Sequence, residues 1–215
     1  MESWARKLAS LGFSEHTFSE TIVVSQGPAG LVAAPMGILL KGNSLLIQPY
    51  RKTRTYTNLV NSKNCTINIT RDSLLFYKAI MKKLTRKDFA KSKVIEAPRL
   101  RGTEAIIEAV LLNILENDVE RTKLLFKPVY IKVFKKRVKA YNRADSLLIE
   151  ALVYYTKLQS YMEMGRIGEV KKLVEKMEMC RETIYRASVN KKLRSAINRV
   201  LSKAKGIEAG LSSSI

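Results

Sequence analysis

The segment RKTRTYTNL, residues 51–59, combines residue types that bind phosphate groups. It follows the apolar run LLIQPY and holds three basic side chains and three threonines in nine positions. A helix beginning near Thr55 would direct free backbone N–H groups toward an anion, and the hydroxyls of Thr53 and Thr55 could donate to the same oxygens. Charge could come from three neighbouring cations, Arg51, Lys52 and Arg54. The segment therefore predicts a phosphate site, with an ordinary solvated basic turn as the alternative.

Two further stretches could contact a planar ligand. AAPMG, residues 33–37, places small side chains and a proline in a strand, where a ligand could approach backbone N–H and C=O groups closely. INIT, residues 67–70, offers the polar side chains of Asn68 and Thr70. The structural alternatives are that Met36 belongs to the core and that Asn68 bonds only its own turn.

Residues committed to acid–base or metal chemistry are not evident, so no catalytic residue is predicted. His16 is the only histidine and a structural role is favoured for it. Glu20 is either a carboxylate near the ligand or a strand-end surface residue. Cys65 and Cys180 lack metal-ligand spacing, so no metal site is expected, and buried free thiols are preferred over one disulfide.

The net charge of +20 predicts attraction to polyanions. Residues 1–50 are neutral, whereas residues 51–100 carry thirteen basic and three acidic side chains. Basic stretches continue at 84–93, 134–139 and 186–205, which keeps nucleic-acid binding open as an alternative. Glutamates interleaved in the C-terminal helices and the lack of an aromatic-rich RNA motif weigh against that alternative.

The start of the chain, MESWARKLASLGF, lacks the apolar core of a signal peptide. No apolar stretch approaches the ~18 uncharged residues that a membrane helix requires. We therefore expect a cytoplasmic protein without membrane contact.

Periodicity predicts a β-rich portion over residues 1–140 and a helical portion over 141–215. After a short helix at 2–11, three strands at 21–26, 31–40 and 44–50 are joined by short turns, which indicates an antiparallel meander. Pro35 requires an edge or a bulge in the second of them. The remaining elements are a helix at 55–62, a strand at 64–70, a helix from Asp72 to about Lys83, strands at 102–116 and 123–134, and helices from 143 onward.

Within these helices, three finer expectations follow. Leu75, Phe76, Ala79 and Ile80 should face inward from the helix that Asp72 caps. Breaks are expected at Gly165, Gly168 and the 188–191 region. The tail GIEAGLSSSI, residues 206–215, is expected to be frayed.

Several of these motifs, in this order, resemble a known family. The succession SETIVVSQGPAGLVAAPMGILL, RKTRTYTNL and CTINITRDSLLFYKA resembles an archaeal family of uncharacterised proteins among the flavin-reductase-like, FMN-binding split barrels. The later stretch NRADSLLIEALVYYTKL resembles a C-terminal helix of the same family. The likeness spans residues 18–162 and covers most of the chain.

The resemblance implies site residues at three places. The family's phosphate-binding motif falls on Thr53, Arg54 and Thr55, followed by Asn58. The strand beside the flavin ring falls on five consecutive residues, Ala33, Ala34, Pro35, Met36 and Gly37. The other ring contact falls on Asn68, Ile69 and Thr70. Thr53 stands where the family has serine, which keeps the hydroxyl, whereas Val32 stands where it tends to have asparagine, which removes a polar side chain near the ring.

The resemblance also implies an α+β, β-rich fold: an antiparallel FMN-binding split β-barrel with a C-terminal helical extension. It implies FMN as cofactor, a homodimer with FMN at the interface, and flavin-dependent oxidoreductase or flavin-reductase-like activity, with NAD(P)H as a candidate donor. A flavin carrier without turnover and a flavin-free nucleic-acid-binding protein are the alternatives.

Overall fold

The computed structural model describes residues 4–117 and 120–212 of the chain. Its backbone contacts divide the chain into two compact units, Met1–Tyr141 and Asn142–Ile215. The first unit holds all of the strands and the second holds three long helices.

The first unit is built on a closed antiparallel barrel. Along the chain, its strands are β1 (Ser19–Gly27), β2 (Gly30–Lys41), β3 (Ser44–Ile47), β4 (Asn64–Ile69), β5 (Phe89–Ala90), β6 (Arg99–Leu100), β7 (Ala105–Asn117) and β8 (Thr122–Val133). Six of them close the barrel in the order β1-β2-β3-β8-β7-β4, and β5 and β6 form a separate two-stranded sheet. The antiparallel meander predicted for the first three strands is confirmed.

Two prolines shape the meander. Pro35 pairs with Ile22 of β1, but β3 joins β2 only from Ile38 onward. Pro35 therefore lies where β2 has a strand neighbour on one side, as a residue without a backbone N–H requires. β3 is shorter than the predicted 44–50 and ends at Ile47, because Pro49 cannot donate a ladder hydrogen bond and Gln48 before it is restricted by the proline ring.

The hairpin of β7 and β8 confirms the two strands predicted at 102–116 and 123–134. Pro128 sits beside a bulge, where Glu108 pairs with Tyr130 while Ala109 pairs with Pro128. The extra residue in β8 lets the proline remain in an inner strand. The predicted connection at 116–120 lies partly outside the described residues.

The barrel interior is packed with apolar side chains, most of them aliphatic, and Phe126 is the largest that is fully buried. Helix α1 (Trp4–Ser10) contributes Leu8, which is fully buried against the same core. Alternating residues along the strands point inward and supply the rest of this core.

Two short helices lie on the barrel, α2 (Arg54–Ser62) and α3 (Ser73–Ile80). The predicted cap of α3 is confirmed, because Oδ1 of Asp72 accepts hydrogen bonds from the N–H groups of Leu74 (2.9 Å) and Leu75 (3.4 Å). Leu75 and Ala79 are buried against the underlying sheet, and Phe76 packs against the same cluster. The prediction that Ile80 also faces inward is wrong: 62% of it is exposed, since the helix ends there.

The second unit contains α4 (Arg143–Glu163), α5 (Ile167–Ala187) and α6 (Lys191–Ser212) around one apolar core. Gly165 adopts φ +66° between α4 and α5, which confirms a break there. Gly168 lies inside the first turn of α5 and makes no break. Helix α6 continues to Ser212, so the expectation of a frayed tail is wrong for residues 206–212, and residues 213–215 lie outside the described part.

Cys65 and Cys180 are free and buried, one in each unit, so the preferred reading of the two cysteines is confirmed. Burial raises the pKa of both thiols, and the effect is largest for Cys65 in the barrel core.

Candidate functional site

Asn58 joins α2 to the turn between β1 and β2. Its side chain is fully buried; Oδ1 accepts a hydrogen bond from the N–H of Ala29 (3.0 Å), and Nδ2 donates to the carbonyl oxygen of Gly30 (2.6 Å). Nδ2 also lies 3.4 Å from the carbonyl oxygen of Ser25. An amide that offers both a donor and an acceptor can satisfy two backbone groups of one turn, and this fixes the start of α2 against β2.

The first turn of α2 is built from the TRT triplet. Thr53 is the N-cap in an extended conformation, and its hydroxyl oxygen accepts from the N–H of Tyr56 (3.3 Å) while donating to the carbonyl oxygen of Tyr50 (2.6 Å). The guanidinium of Arg54 donates through Nε to the carbonyl oxygen of Ala29 (2.9 Å). The hydroxyl of Thr53 therefore serves as the helix cap, and the guanidinium of Arg54 is hydrogen-bonded to the turn between β1 and β2.

Thr55 and the leading N–H groups of α2 keep hydrogen-bonding capacity. Thr55 is only 3% exposed, and among the described residues its hydroxyl has no hydrogen-bond partner. The N–H groups of Arg54 and Thr55 precede the first intrahelical bond, which Thr57 makes to Thr53. Donors at a helix N-terminus, with the positive end of its dipole, suit an anionic group.

A cavity of about 590 Å³ opens beside this helix start. One wall is β2 from Leu31 to Pro35, and Thr53 and Arg54 form a second part of the lining. Along this stretch of β2, one edge has no strand partner in the described part of the chain. The backbone groups of that edge are thus available to a ligand, and the volume is within the range of about 300–1,000 Å³ common for small-molecule sites.

The third part of the lining comes from residues that the sequence analysis did not assign to a site. They lie at the end of α3 and in the segment after it: Ala79, Ile80, Lys82, Leu84 and Phe89. Their one sequence signal is the apolar character of positions 80, 84 and 89 within an otherwise lysine-rich stretch. The exposure of Ile80 fits this place, because its side chain faces the cavity and not the core.

A capping box holds this segment in shape. The side chain of Asp88 accepts from the backbone N–H of Thr85 (2.7 Å) and from its hydroxyl (2.9 Å). These two bonds, with a smaller contribution from Lys78, hold the pKa of Asp88 below its ordinary value. The turn at 85–88 leads directly into Phe89 of the cavity wall.

The electrostatic character of the cavity is cationic. Arg54 and Lys82 line it, and none of its lining residues is acidic or a histidine. Among the described residues, no three histidine, cysteine, aspartate or glutamate side chains form a group that could hold a metal ion. The cavity is therefore suited to an uncharged planar body with an anionic end.

The structure brings together five of the fourteen residues assigned to the site from sequence: Ala33, Ala34, Pro35, Thr53 and Arg54. Thr55 and Asn58 are buried residues of α2 and are not among the residues that line the cavity. Arg51 and Lys52 are exposed in the preceding turn and do not line the cavity.

The other predicted residues are placed in the barrel wall. Met36 packs against the core, and the backbone of Gly37 passes so close to Phe18 that an added Cβ would lie 3.2 Å from its ring. Asn68 is fully buried, donates to the carbonyl oxygen of Ile22 (3.0 Å) and accepts from the N–H of Leu100 (2.8 Å).

Residues 69 and 70 also have structural partners. Ile69 is in the core, and the hydroxyl of Thr70 accepts from the N–H of Asp72 (3.0 Å). Cofactor contacts by this strand stay a prediction, since none of its residues lines the cavity.

His16 and Glu20 also lie outside the cavity lining. Glu20 is half-buried and pairs with Gly37 across the β1–β2 ladder and with Tyr141 in an isolated bridge. No helix in the described part of the chain is long and apolar enough to cross a membrane.

The fold recurs among solved structures. An FMN-bound protein from Methanosarcina mazei is 21% identical, with a TM-score of 0.55 over 92% of this chain and 99% of that chain. A Streptomyces globisporus NADH:FAD oxidoreductase is 12% identical (TM-score 0.49, 60% of this chain and 75% of that one), and a putative flavin reductase from Haemophilus somnus is 15% identical (TM-score 0.48, 64% and 92%).

The six-stranded antiparallel barrel followed by helices is the flavin-reductase-like split barrel, as the resemblance of the motifs implied. Residues 19–135 match the family model for the N-terminal domain of DUF447, which is a protein family of unknown function. The chain therefore belongs to the DUF447 family, and the matched segment spans β1 to the end of β8.

Proposed function

We propose that this protein binds FMN in the cavity between β2 and the start of α2 and acts as a flavin-dependent oxidoreductase. The observation that carries the proposal is the meeting, in one cavity, of a free strand edge and a helix N-terminus with unused donors. The FMN-bound state of the Methanosarcina mazei structure, which shares the fold and the family, supports the same cofactor.

The residues present fit FMN at both ends. The unpartnered hydroxyl of buried Thr55, with the first N–H groups of α2, would hold the phosphate, and Arg54 would add positive charge. The edge of β2 at 33–35 would hold the flavin ring through backbone groups. When bound, the flavin supplies the redox chemistry, and the protein orients it and limits water access.

We assign no acid–base residue to the reaction, since the lining of this cavity has no carboxylate and no histidine. Hydride transfer to a flavin needs an open ring face more than a catalytic side chain, and a nicotinamide dinucleotide is the donor class we propose. The apolar segment Ile80, Leu84 and Phe89 would pack against one side of the ring and leave the other face open to that donor. A homodimer that completes the ring contacts is part of the proposal.

The phosphate role of Thr55 is testable by removing one partner at a time. Thr55→Ala should weaken FMN binding about tenfold to a hundredfold, the value of a hydrogen bond to a charged group. It should leave the affinity for riboflavin, which lacks the phosphate, nearly unchanged. Thr57→Ala is the matched control: the same residue type two residues further along the helix, with its hydroxyl directed to the carbonyl oxygen of Thr53.

Fluorescence titration of both flavins against the three proteins provides the measurement. Equal losses for FMN and riboflavin in the Thr55 variant would remove the phosphate from the site. Anaerobic addition of NADH or NADPH to FMN-loaded protein then distinguishes an oxidoreductase, whose flavin absorbance bleaches, from a carrier, whose flavin stays oxidised.

A further inference from the structure

A second concave site lies on the outer face of the β7–β8 hairpin. Ile107 and Ile131 point into the barrel core, so their strand neighbours Tyr130 and Lys132 point outward. The loop between β5 and β6 covers this face and leaves a pocket of about 240 Å³. This pocket shares no lining residue with the cavity beside α2.

Four cationic side chains from three separate segments line this pocket: Lys91, Lys93, Arg99 and Lys132. Within residues 4–117 and 120–212, none of the four forms an ion pair with a carboxylate. Like charges repel one another, so gathering four of them around a single carboxylate costs free energy unless a further anion binds among them.

Two aromatic rings hold three of the four cations in place. Nζ of Lys93 lies 4.9 Å from the ring centroid of Tyr130. The ring of Phe134 has the guanidinium carbon of Arg99 at 5.2 Å and Nζ of Lys132 at 5.9 Å. Cation–π contacts of this kind limit the freedom of long side chains, and the arrangement is thereby preorganised for a ligand.

Glu108 is the one acidic residue in the lining, and both of its carboxylate oxygens are occupied by hydrogen bonds from the backbone. It is fully buried, and its two oxygens accept hydrogen bonds from the N–H groups of Lys93 (2.7 Å), Val94 (2.7 Å) and Ile95 (3.2 Å). The carboxylate thus anchors the loop that carries Lys93, and the four cations still leave the pocket with a positive net charge.

We propose that this pocket binds the diphosphate group of a nucleotide. Its volume lies below the range of about 300–1,000 Å³ for pockets that enclose a whole small ligand, so the pocket admits the charged group and leaves the remainder outside. The cations converge on one concavity and do not track along an extended groove, which favours a compact anion over a nucleic-acid backbone. Several charges in so small a space match a diphosphate better than a monoester.

The test uses inorganic pyrophosphate as the probe and calorimetry on the full chain, with FMN present at saturation so that the first site is filled. Lys93→Gln combined with Lys132→Gln removes two cations and leaves the backbone bonds to Glu108. Lys87→Gln combined with Lys127→Gln is the control, because it lowers the net charge equally at exposed positions outside the pocket. We expect the Lys93/Lys132 variant to bind pyrophosphate weaker by about tenfold or more. The affinity of the Lys87/Lys127 control should change by less than about threefold.

Competition identifies the source of the phosphates. ADP should displace pyrophosphate from the wild-type protein and lose affinity in parallel with it in the pocket variant. Equal losses in the two double variants would show a general charge effect and overturn the proposal. Lack of saturable pyrophosphate binding, or pocket-dependent binding of single-stranded oligothymidylate but not of ADP, would overturn it as well.

Discussion

Asn58 is the residue through which the barrel is expected to position the proposed phosphate site. Asn58→Ala removes two hydrogen bonds of good length, at 3.0 and 2.6 Å, and leaves the N–H of Ala29 and the carbonyl oxygen of Gly30 without their partner. Each bond contributes about 0.5–1.5 kcal/mol, and an unsatisfied group can cost more. Because Ala29 and Gly30 are reached by water, we expect a total loss of about 2–3 kcal/mol in the free energy of unfolding.

Asn58→Asp removes the amide donor of the side chain but keeps an oxygen acceptor, so it tests the two hydrogen bonds separately. The variant retains an oxygen that can accept from Ala29, but it sets a carboxylate against the carbonyl oxygen of Gly30 in a fully buried position. Burial and the facing carbonyl oxygen disfavour the charged form and raise the pKa of the introduced group, and Arg54, bonded to the same turn through the carbonyl oxygen of Ala29, offsets part of that rise. A raised pKa gives stability that is lost as pH rises, so this variant should be more stable at mildly acidic pH than at neutral pH.

The assay follows unfolding of the first unit alone. Trp4 is the only tryptophan and packs against the barrel core, so its fluorescence during urea denaturation reports the barrel without the helical unit. Asn61→Ala is the matched control, since Asn61 lies on the exposed side of the same helix, and its loss should stay within about 0.5 kcal/mol. Equal stability of Asn58→Ala and Asn61→Ala would refute the assigned role of Asn58.

Two further predictions concern the barrel. Gly27→Ala should destabilise it by about 1 kcal/mol or more, since a Cβ would lie 2.2 Å from Oγ of Ser62 and 3.0 Å from Oδ1 of Asn58. Ser62→Ala in the same chain should recover part of that loss, and an unchanged urea midpoint for Gly27→Ala would contradict the packing. Burial of Cys65 raises the pKa of its thiol, so the barrel should lose stability in alkaline solution as the unfolded chain ionises first. The extra alkaline loss, measured as the urea midpoint against pH, should be absent from Cys65→Ala, and its persistence there would assign it to other groups.

Much of the fold could be read from the sequence because its signals are local. Turn residues at 27–30 and 41–43 set the meander, and Asp72 caps α3 through a side chain that its own position in the chain determines. Gly168 shows the limit of such signals: a glycine in the first turn of a helix is tolerated when the following face, from Val170 to Met177, packs into a core. Tertiary packing, which the local pattern does not contain, decides such cases.

The site was predictable in part for the same reason. The threonines at the start of α2 are recognisable by their spacing. The wall from Ile80 to Phe89 is not, because an apolar side chain that faces a cavity has the same sequence pattern as one that faces the core. Asn68 shows the opposite case. A polar residue in a strand looked available for a ligand, whereas the fold gives it backbone partners in β1 and β6.

The central claim is that the start of α2 binds the phosphate of FMN, and a comparison of FMN with riboflavin on the wild-type protein tests it most directly. Both flavins would be titrated into flavin-free protein, with bound flavin measured after desalting. We predict one retained FMN per chain and an affinity for riboflavin weaker by about tenfold or more. Equal affinities for the two flavins, or no retention of either, would contradict the account.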